Sequence, residues 1–330
     1  MATVSRLGAI NAGADKQATF LRVFAGEVLS TFQENNKFLD KTIVRTLSQG
    51  KSATFPVVGT ASADWHTPGN SVIIDGDGAN DIKLNEREIF IDDCLVSNVL
   101  VDDLDALKNH WDHRSEFSSL LGRALAKEAD THILSAIYKA ADETGPTVTG
   151  GPSTTDITDA DGLTNTTSLI DSIFDAAQQL DENDVPREDR YVALRPAQYY
   201  NLMNNAGSAS NLVTRDYTRD GNGNIADGFV LRVAGFTIVP TNNMSSADES
   251  GTADAGGKNE IWTAGKGYNA DWSDVVALCF HRSCAGTVKM ADLQVLTEYQ
   301  VDRLAWLLLA RYAMGHSYLR PESAVLIKKA

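Results

Sequence analysis

The chain has 330 residues, 43% of them hydrophobic, enough for a real core in one large domain or two closely joined ones. Its 29 basic and 44 acidic residues give 29 − 44 = −15, a balance that favours solubility and disfavours tight binding to nucleic acid or anionic lipid. No apolar run reaches the roughly eighteen residues of a membrane span, and Met1–Arg6 lacks a secretory leader pattern. Three cysteines, Cys94, Cys279 and Cys284, make no disulfide framework and fit a reducing compartment.

Taken in order, residues 1–14 are small and polar and read as an arm. Asp15–Gln33 carries Phe20, Leu21, Phe24, Val28, Leu29 and Phe32 at helical spacing, with Asp15 placed to cap the helix. From Lys41 to Asp92 the pattern changes to strands, over Thr42–Leu47, Ala53–Val58 and Ile82–Ile91. Gly59–Asp81 between them is rich in Gly, Asp, Ser and Asn. A hairpin with so polar a tip and no core of its own is marginal in isolation and is expected to be held by another chain or domain.

Val101–Asn109 reads as a short helix, followed by the strongest element of the chain. From Arg114 to Ala140, Phe117, Leu120, Leu121, Ala124, Ala129, Ile133, Ala136, Ile137 and Ala140 recur at steps of three and four. Arg114, Arg123, Lys127, Asp130 and Lys139 are expected on the opposite side, and Gly122 is a weak point worth about 1 kcal/mol. At 1.5 Å per residue this spine is roughly 40 Å long, about twice the radius of gyration of a compact chain of this size.

Gly- and Pro-rich stretches at 144–155 mark a linker, with a boundary near Asp161. Thr167–Asp181 is amphipathic through Leu169, Ile170, Ile173, Phe174, Ala177 and Leu180. Arg190–Leu194 reads as a strand and Pro196–Asn204 as a helix with proline in its first turn. Asn205–Gly228 is loop, Phe229–Val233 and Phe236–Val239 are strands around Ala234-Gly235, and Asn242–Lys258 is polar and loose. Val275–Phe280 is a buried strand, and Thr287–Tyr299 a long one. Leu304–Ala313 reads as strand or helix, because periodicity does not settle a short apolar run.

No catalytic set emerges. Cys279, His281 and Cys284 supply three ligands where structural zinc needs four. His110 and His113 stand one turn apart and open the alternative of a metal-dependent intracellular enzyme with nearby acids. Asp75-Gly76-Asp77-Gly78 and Asp220–Asn224 both fail the calcium-loop pattern. Gly265-Lys266-Gly267 lacks the rest of a phosphate loop. No cofactor is expected.

Several blocks occur together: Gly26–Leu29, Lys51-Ser52-Ala53-x-Phe55-Pro56-Val57-x-Gly59, Arg114-Ser115-Glu116, and Val185-Pro186-x-x-Asp189-Arg190. They are joined by His281-Arg282-Ser283-x-x-Gly286–Lys289-x-x-Asp292-Leu293 and Arg311–His316-x-x-Leu319–Glu322. In this order they resemble the major capsid proteins of short-tailed, podovirus-type phages of the T-seven group (Autographiviridae). The resemblance spans nearly the whole chain, and the blocks from His281 to Glu322 are its most specific part.

The resemblance implies an α+β chain of the Hong Kong 97 type capsid fold. Residues 1–40 would be the N-terminal arm and helix, 41–92 the E-loop, 93–160 with 285–330 the P-domain, and 161–284 the A-domain. Copies would assemble into hexamers and pentamers of a triangulation-number-seven shell in the virion, built in the host bacterial cytoplasm. A scaffold protein, a portal and a cement or decoration protein would be partners, the last docking near 242–258. The shell would enclose double-stranded DNA without reading its sequence and without contacting a membrane. Arg45, Lys51 and Arg87, with the acids Asp75, Asp77 and Asp81, are the candidates for inter-subunit ion pairs of the E-loop. A non-viral cage of the same fold, encapsulin-like, is the other reading of this class.

Overall fold

The structure is a computed structural model. It describes Val28, Thr31, 36–59, Trp65, 68–69, 84–92, 94–102, 114–143, 145–148, 151–159, 161, 165–203, 223–224, 229–230, 232–249, 268 and 270–329.

The spine expected from the three–four spacing is present as helix α1, Arg114–Asp142. Its 29 residues make it about 44 Å long. Leu121, Leu125, Ala126 and Ala129 bury one half, and Ile133, Leu134, Ile137, Ala140 and Ala141 bury the other. Each fully buried aliphatic of this size contributes about 1.5–3 kcal/mol, so the helix is held by packing along its whole length. Two side chains depart from the expected faces. Leu120 is exposed, and Asp130, expected on the solvent side, is buried.

The helix lies across two sheets. The strands are β1 (Ile43–Thr46), β2 (Ser52–Val58), β3 (Leu84–Phe90), β4 (Leu95–Asp102), β5 (Ile157–Asp159) and β6 (Arg190–Leu194). They continue as β7 (Gly223–Asn224), β8 (Phe229–Val230), β9 (Arg232–Val233), β10 (Phe236–Pro240) and β11 (Val275–His281). The last are β12 (Ala285–Gln300), β13 (Ala305–Tyr318) and β14 (Ala324–Lys329). A four-stranded sheet runs β1-β12-β13-β4 and a six-stranded one β5-β14-β11-β6-β10-β9. The first half of α1 packs on Leu293, Leu308, Ala310, Tyr312 and Met314 of the smaller sheet. The second half packs on Leu278, Phe280 and Leu326 of the larger, together with Trp272 and Phe38. The other face of the larger sheet is covered by α2 (Thr166–Glu182) through Leu169, Ile173 and Leu180. Helix α3, Pro196–Met203, adds Tyr199 and Leu202. Sandwiched in this way, β11 is buried from Val275 to Phe280 and shows no alternation.

Several readings of the sequence are corrected. Val101 and Asp102 end strand β4 rather than begin a helix; the rest of 101–109 lies outside the described residues. Leu304–Ala313 resolves as strand from Ala305 on, because Ala305–Tyr312 finds β12 on one side and β4 on the other. Phe174 points outward from α2 while Ala176 points in. Strand β1, read with the outstretched arm, pairs in parallel with β12 through Ile43–Thr46 and Gly286–Lys289. Strands β5 and β14 fall outside the 161–284 segment but belong to the larger sheet, where β14 is flanked by β5 and β11. Of the N-terminal helix, Val28 and Thr31 are described and helical; the remainder of 15–33 lies outside the described residues.

Two glycines are required by close approach. A Cβ on Gly122 would stand 2.9 Å from Thr31 Cβ and 3.0 Å from Val28 O. The helical cost of this glycine is thus offset by the contact it permits. A Cβ on Gly315 would stand 1.9 Å from Phe90 O, where the end of β3, the second foot of the hairpin arm formed by β2 and β3, crosses β13. Gly315→Ala should therefore displace that foot and cost about 1–3 kcal/mol by overpacking. Protease cleavage within 84–92 should accelerate while the 190–194 strand stays protected; an unchanged cleavage pattern would contradict the close crossing.

Candidate assembly surfaces

The arm is the hairpin of β2 and β3, paired from Ser52↔Phe90 to Val58↔Leu84. Its base is not without a core. Ala53 and Ile89 are buried with Val288 and Leu319, and Leu47, Phe55 and Ile91 pack around them. Ile91 N also donates to Lys51 O at 2.9 Å, and Leu47 N to Lys289 O at 2.8 Å. Farther out the apolar groups lose their cover. Leu84 is 72% exposed, Val58 53%, and Trp65 is fully exposed.

The candidate residues of the arm separate accordingly. Arg45 Nη1 donates to Thr54 O at 2.9 Å and its guanidinium lies over the Phe55 ring. Arg87 stacks 4.6 Å from the Tyr318 ring centre and donates Nη1 to Tyr318 Oη at 3.2 Å. Tyr318 Oη in turn donates to Glu143 Oε2 at 3.2 Å. Both arginines thus make contacts within their own chain that position the arm. Lys51 is exposed at the start of β2. Asp75, Asp77 and Asp81 lie outside the described residues, as do His110 and His113.

A second surface was not legible beforehand. The four-stranded sheet has α1 on one face; on the other the arm's base covers the Val288–Gly315 end, and farther along Val96, Leu100 and Leu296 are left nearly half exposed. Leu100 pairs with Leu307, and Leu296 with Leu309, in adjacent rows of that open face. Val96 follows beside Arg311. Val96, Leu100 and Leu296 are each nearly half exposed, and Leu307 and Leu309 are partly covered by neighbours in the sheet. On that face β13 carries Leu307 and Leu309, while β12 sets Leu296 between Gln294 and Glu298 and β4 sets Asn98 between Val96 and Leu100, so an apolar patch sits within a polar margin.

The polar ties are structural. Asp130 accepts from Lys37 N at 3.1 Å, Phe38 N at 3.3 Å and Asn243 Nδ2 at 3.0 Å. It fastens the chain entering β1 and the loop after β10 to the spine. Burial raises its carboxyl to about 6, although all three donors favour the ionised form. Asn242–Glu249 is similarly bound: Met244 is buried, and Ser245 O accepts from Arg195 Nη2. The remainder of 242–258 lies outside the described residues. Cys279 and Cys284 are buried thiols held above their ordinary value by burial, and His281 Nδ1 pairs with Ser283 Oγ at 2.8 Å. Among the described residues no group of three His, Cys, Asp or Glu side chains is placed to hold a metal.

A spine across two sheets, a projecting hairpin and two uncovered apolar surfaces define a shell subunit of the Hong Kong 97 type. Comparison with known proteins agrees. The profile of the Gp10A-like major capsid proteins matches residues 54–328. The chain is 34% identical to the major capsid protein of Escherichia phage T7, over 98% of this chain and 95% of that one. It is 32% identical to the major capsid protein of Enterobacteria phage T3, over 94% and 91%. The solved capsid structure of Cyanophage P-SCSP1u superposes with a TM-score of 0.73 at 35% identity, covering 99% of this chain and 98% of that one. The chain belongs to the Gp10A-like major capsid protein family. It is a structural component of a phage virion and not an enzyme, and the non-viral cage and the metal enzyme are not the supported readings.

Because the folded value of Asp130 lies above the ordinary 3.8, its proton binding favours the folded chain most at low pH. That contribution is lost as pH rises from about 4 through about 6. Asp130→Asn should flatten this part of the pH dependence of the urea midpoint; an identical slope in variant and wild type would contradict a buried ionisable carboxyl.

Proposed function

We propose that the chain forms the icosahedral shell around packaged double-stranded DNA as hexamers and pentamers, each subunit laying its arm over the open sheet face of a neighbour. The observation that carries this reading is the match of two uncovered apolar surfaces. Val58 and Leu84 pair across the outer arm yet stay more than half exposed, and Trp65 is fully exposed. Val96, Leu100, Leu296, Leu307 and Leu309 form a face of comparable character. Burying one such side chain contributes about 1.5–3 kcal/mol, and a closed shell repeats the contact on every subunit. A heterologous contact of this kind, arm of one copy on sheet of the next, closes into rings when its rotation permits.

In this reading the arm with its feet (41–92) is the E-loop, the α1 helix with the smaller sheet is the P-domain, and the larger sheet with α2 and α3 is the A-domain. Contacts between A-domains close each ring, and contacts between P-domains join rings into a shell of triangulation number seven. Lys51 and the acids at 75–81 add ion pairs between subunits, each worth about 0–1 kcal/mol at the surface. A scaffold protein sets curvature during assembly, a portal occupies one vertex, and a cement protein docks on the outside. The net charge of −15 suits a container that holds DNA without gripping it.

Charging the open face tests the reading. Leu307→Lys should leave the subunit folded, with its circular dichroism unchanged, and lower the yield of closed particles at least about tenfold, since burying the new ammonium beneath an apolar arm costs more than its pairing with Glu298 opposite returns. Trp65→Ala should act in the same direction more weakly. Normal particle yield from Leu307→Lys would remove the support for this face as the seat of the arm.

A further inference from the structure

We propose that the two feet of the arm are joined by a hydrogen-bonded relay centred on His316, which holds only while that imidazole is neutral, so that acid frees the arm at its root. The proposal concerns the subunit itself and rests on the shell reading only for what the motion serves.

The relay begins at the second foot. Asp92 N donates to Met314 O at 3.3 Å, and Tyr268 Oη donates to Asp92 Oδ2. Tyr268 Oη accepts from His316 N at 3.0 Å. From His316 the relay passes into the first foot: Nδ1 to Thr287 Oγ1 at 3.0 Å, Thr287 Oγ1 to Thr42 Oγ1 at 3.3 Å, and Thr42 Oγ1 to Leu39 O at 3.1 Å. Thr42 immediately precedes β1, the strand that leads into the arm. Thr42, Thr287 and His316 are all essentially without solvent exposure.

The direction of the hydrogens follows from the end of the relay. Leu39 O can only accept, so Thr42 donates to it, Thr287 donates to Thr42, and His316 Nδ1–H donates to Thr287. Every hydroxyl is then satisfied, and Nε2 is left as an acceptor. Nε2 is buried and has no partner among the described residues. An unmet acceptor is tolerable, but protonation would turn Nε2 into a charged donor with nothing to receive it.

The groups packed around the ring do not change this. His132 from α1 stacks on Tyr268 with ring centres 4.1 Å apart, and Glu128 stands one turn before it. Asp92 is joined to His316 through the Tyr268 hydroxyl rather than directly. Tyr312 lies on the same strand, its hydroxyl held neutral by burial. Lys289 of β12 adds a like charge. Burial first, then Lys289, lowers His316 to about 3. The closed root is therefore favoured fully above about pH 6.5 and loses that advantage as pH falls toward 3. Gly315, next to His316, is where Phe90 O crosses β13. That crossing is on the opposite side of β13 from the ring, and the same foot is tied to the His316 N–H through Tyr268 Oη and Asp92, so opening the strand to hydrate the charged ring breaks the foot's tie.

Hydrogen exchange of the full-length unassembled chain tests this, so failure of the latch and failure of the arm to reach a neighbour are separate results. After correction for intrinsic rates, peptides covering 84–92 and 312–318 should open at least about tenfold more at pH 5 than at pH 7.5. Peptides from α2 should not change. In His316→Gln, which keeps a donor for Thr287 but does not titrate, that difference should vanish. No acid step in the wild type, or the same step in His316→Gln, overturns the proposal. If His316→Gln does not fold, Thr287→Val decides: it cuts the relay and strands Nδ1–H, so peptides 84–92 and 312–318 should open at least about tenfold more than in the wild type already at pH 7.5 while α2 does not change, and unchanged protection overturns the proposal equally.

Discussion

One helix fixes the relation of everything else. Helix α1 buries its first half on the four-stranded sheet and its second half on the six-stranded sheet. Neither sheet could lose it without uncovering an apolar face. The interruption at Asp130 is the exception that serves the rule. There a buried carboxylate takes the backbone N–H groups of Lys37 and Phe38 and the amide of Asn243. Three remote segments are thereby tied to one point of the spine, and the chain is delivered into β1 and the arm at a defined position.

With that frame rigid, the incompleteness of the subunit has a definite location. The arm's base is satisfied at home, through Ile89, Val288 and Leu319 and through the stacking of Arg87 on Tyr318. Its outer part and the far face of the smaller sheet are not. Placing the unmet surface at the end of an anchored lever limits the entropy lost when copies associate, because the lever is already oriented. Individually modest contacts then add over many copies. The histidine relay at the root fits this arrangement, since it governs the lever's angle without touching the surfaces that meet.

Much of the architecture was legible from residue spacing. The spine, α2, β6 and β11 carry unmixed periodicities and long buried runs, and their limits agree with the sequence to within a residue or two. What escaped had a physical reason. Strand β4 (Leu95–Asp102) mixes apolar and polar residues on both faces, Val96 and Leu100 with Asn98 on one and Leu95, Val99 and Val101 with Ser97 on the other, so alternation gave no sign of it. Asp130 and His316 have a polar identity that predicts exposure, and only long-range partners explain their burial. The parallel partner of β1 and the place of β14 in the larger sheet depend on topology, which local pattern does not contain. The family blocks around His281–Glu322 map onto β12, β13 and their flanks, where the close crossing at Gly315 and the relay at His316 leave little freedom of sequence.

The most direct measurement is an electron cryo-microscopy map of the particles this chain forms, at a resolution that traces the β2–β3 hairpin. The account predicts density from a neighbouring subunit's hairpin over the Val96–Leu100–Leu296–Leu307–Leu309 face, with the root of each arm seated on its own β13 at Gly315. A map in which that face is bare, or in which each arm folds back onto the subunit it came from, would contradict it.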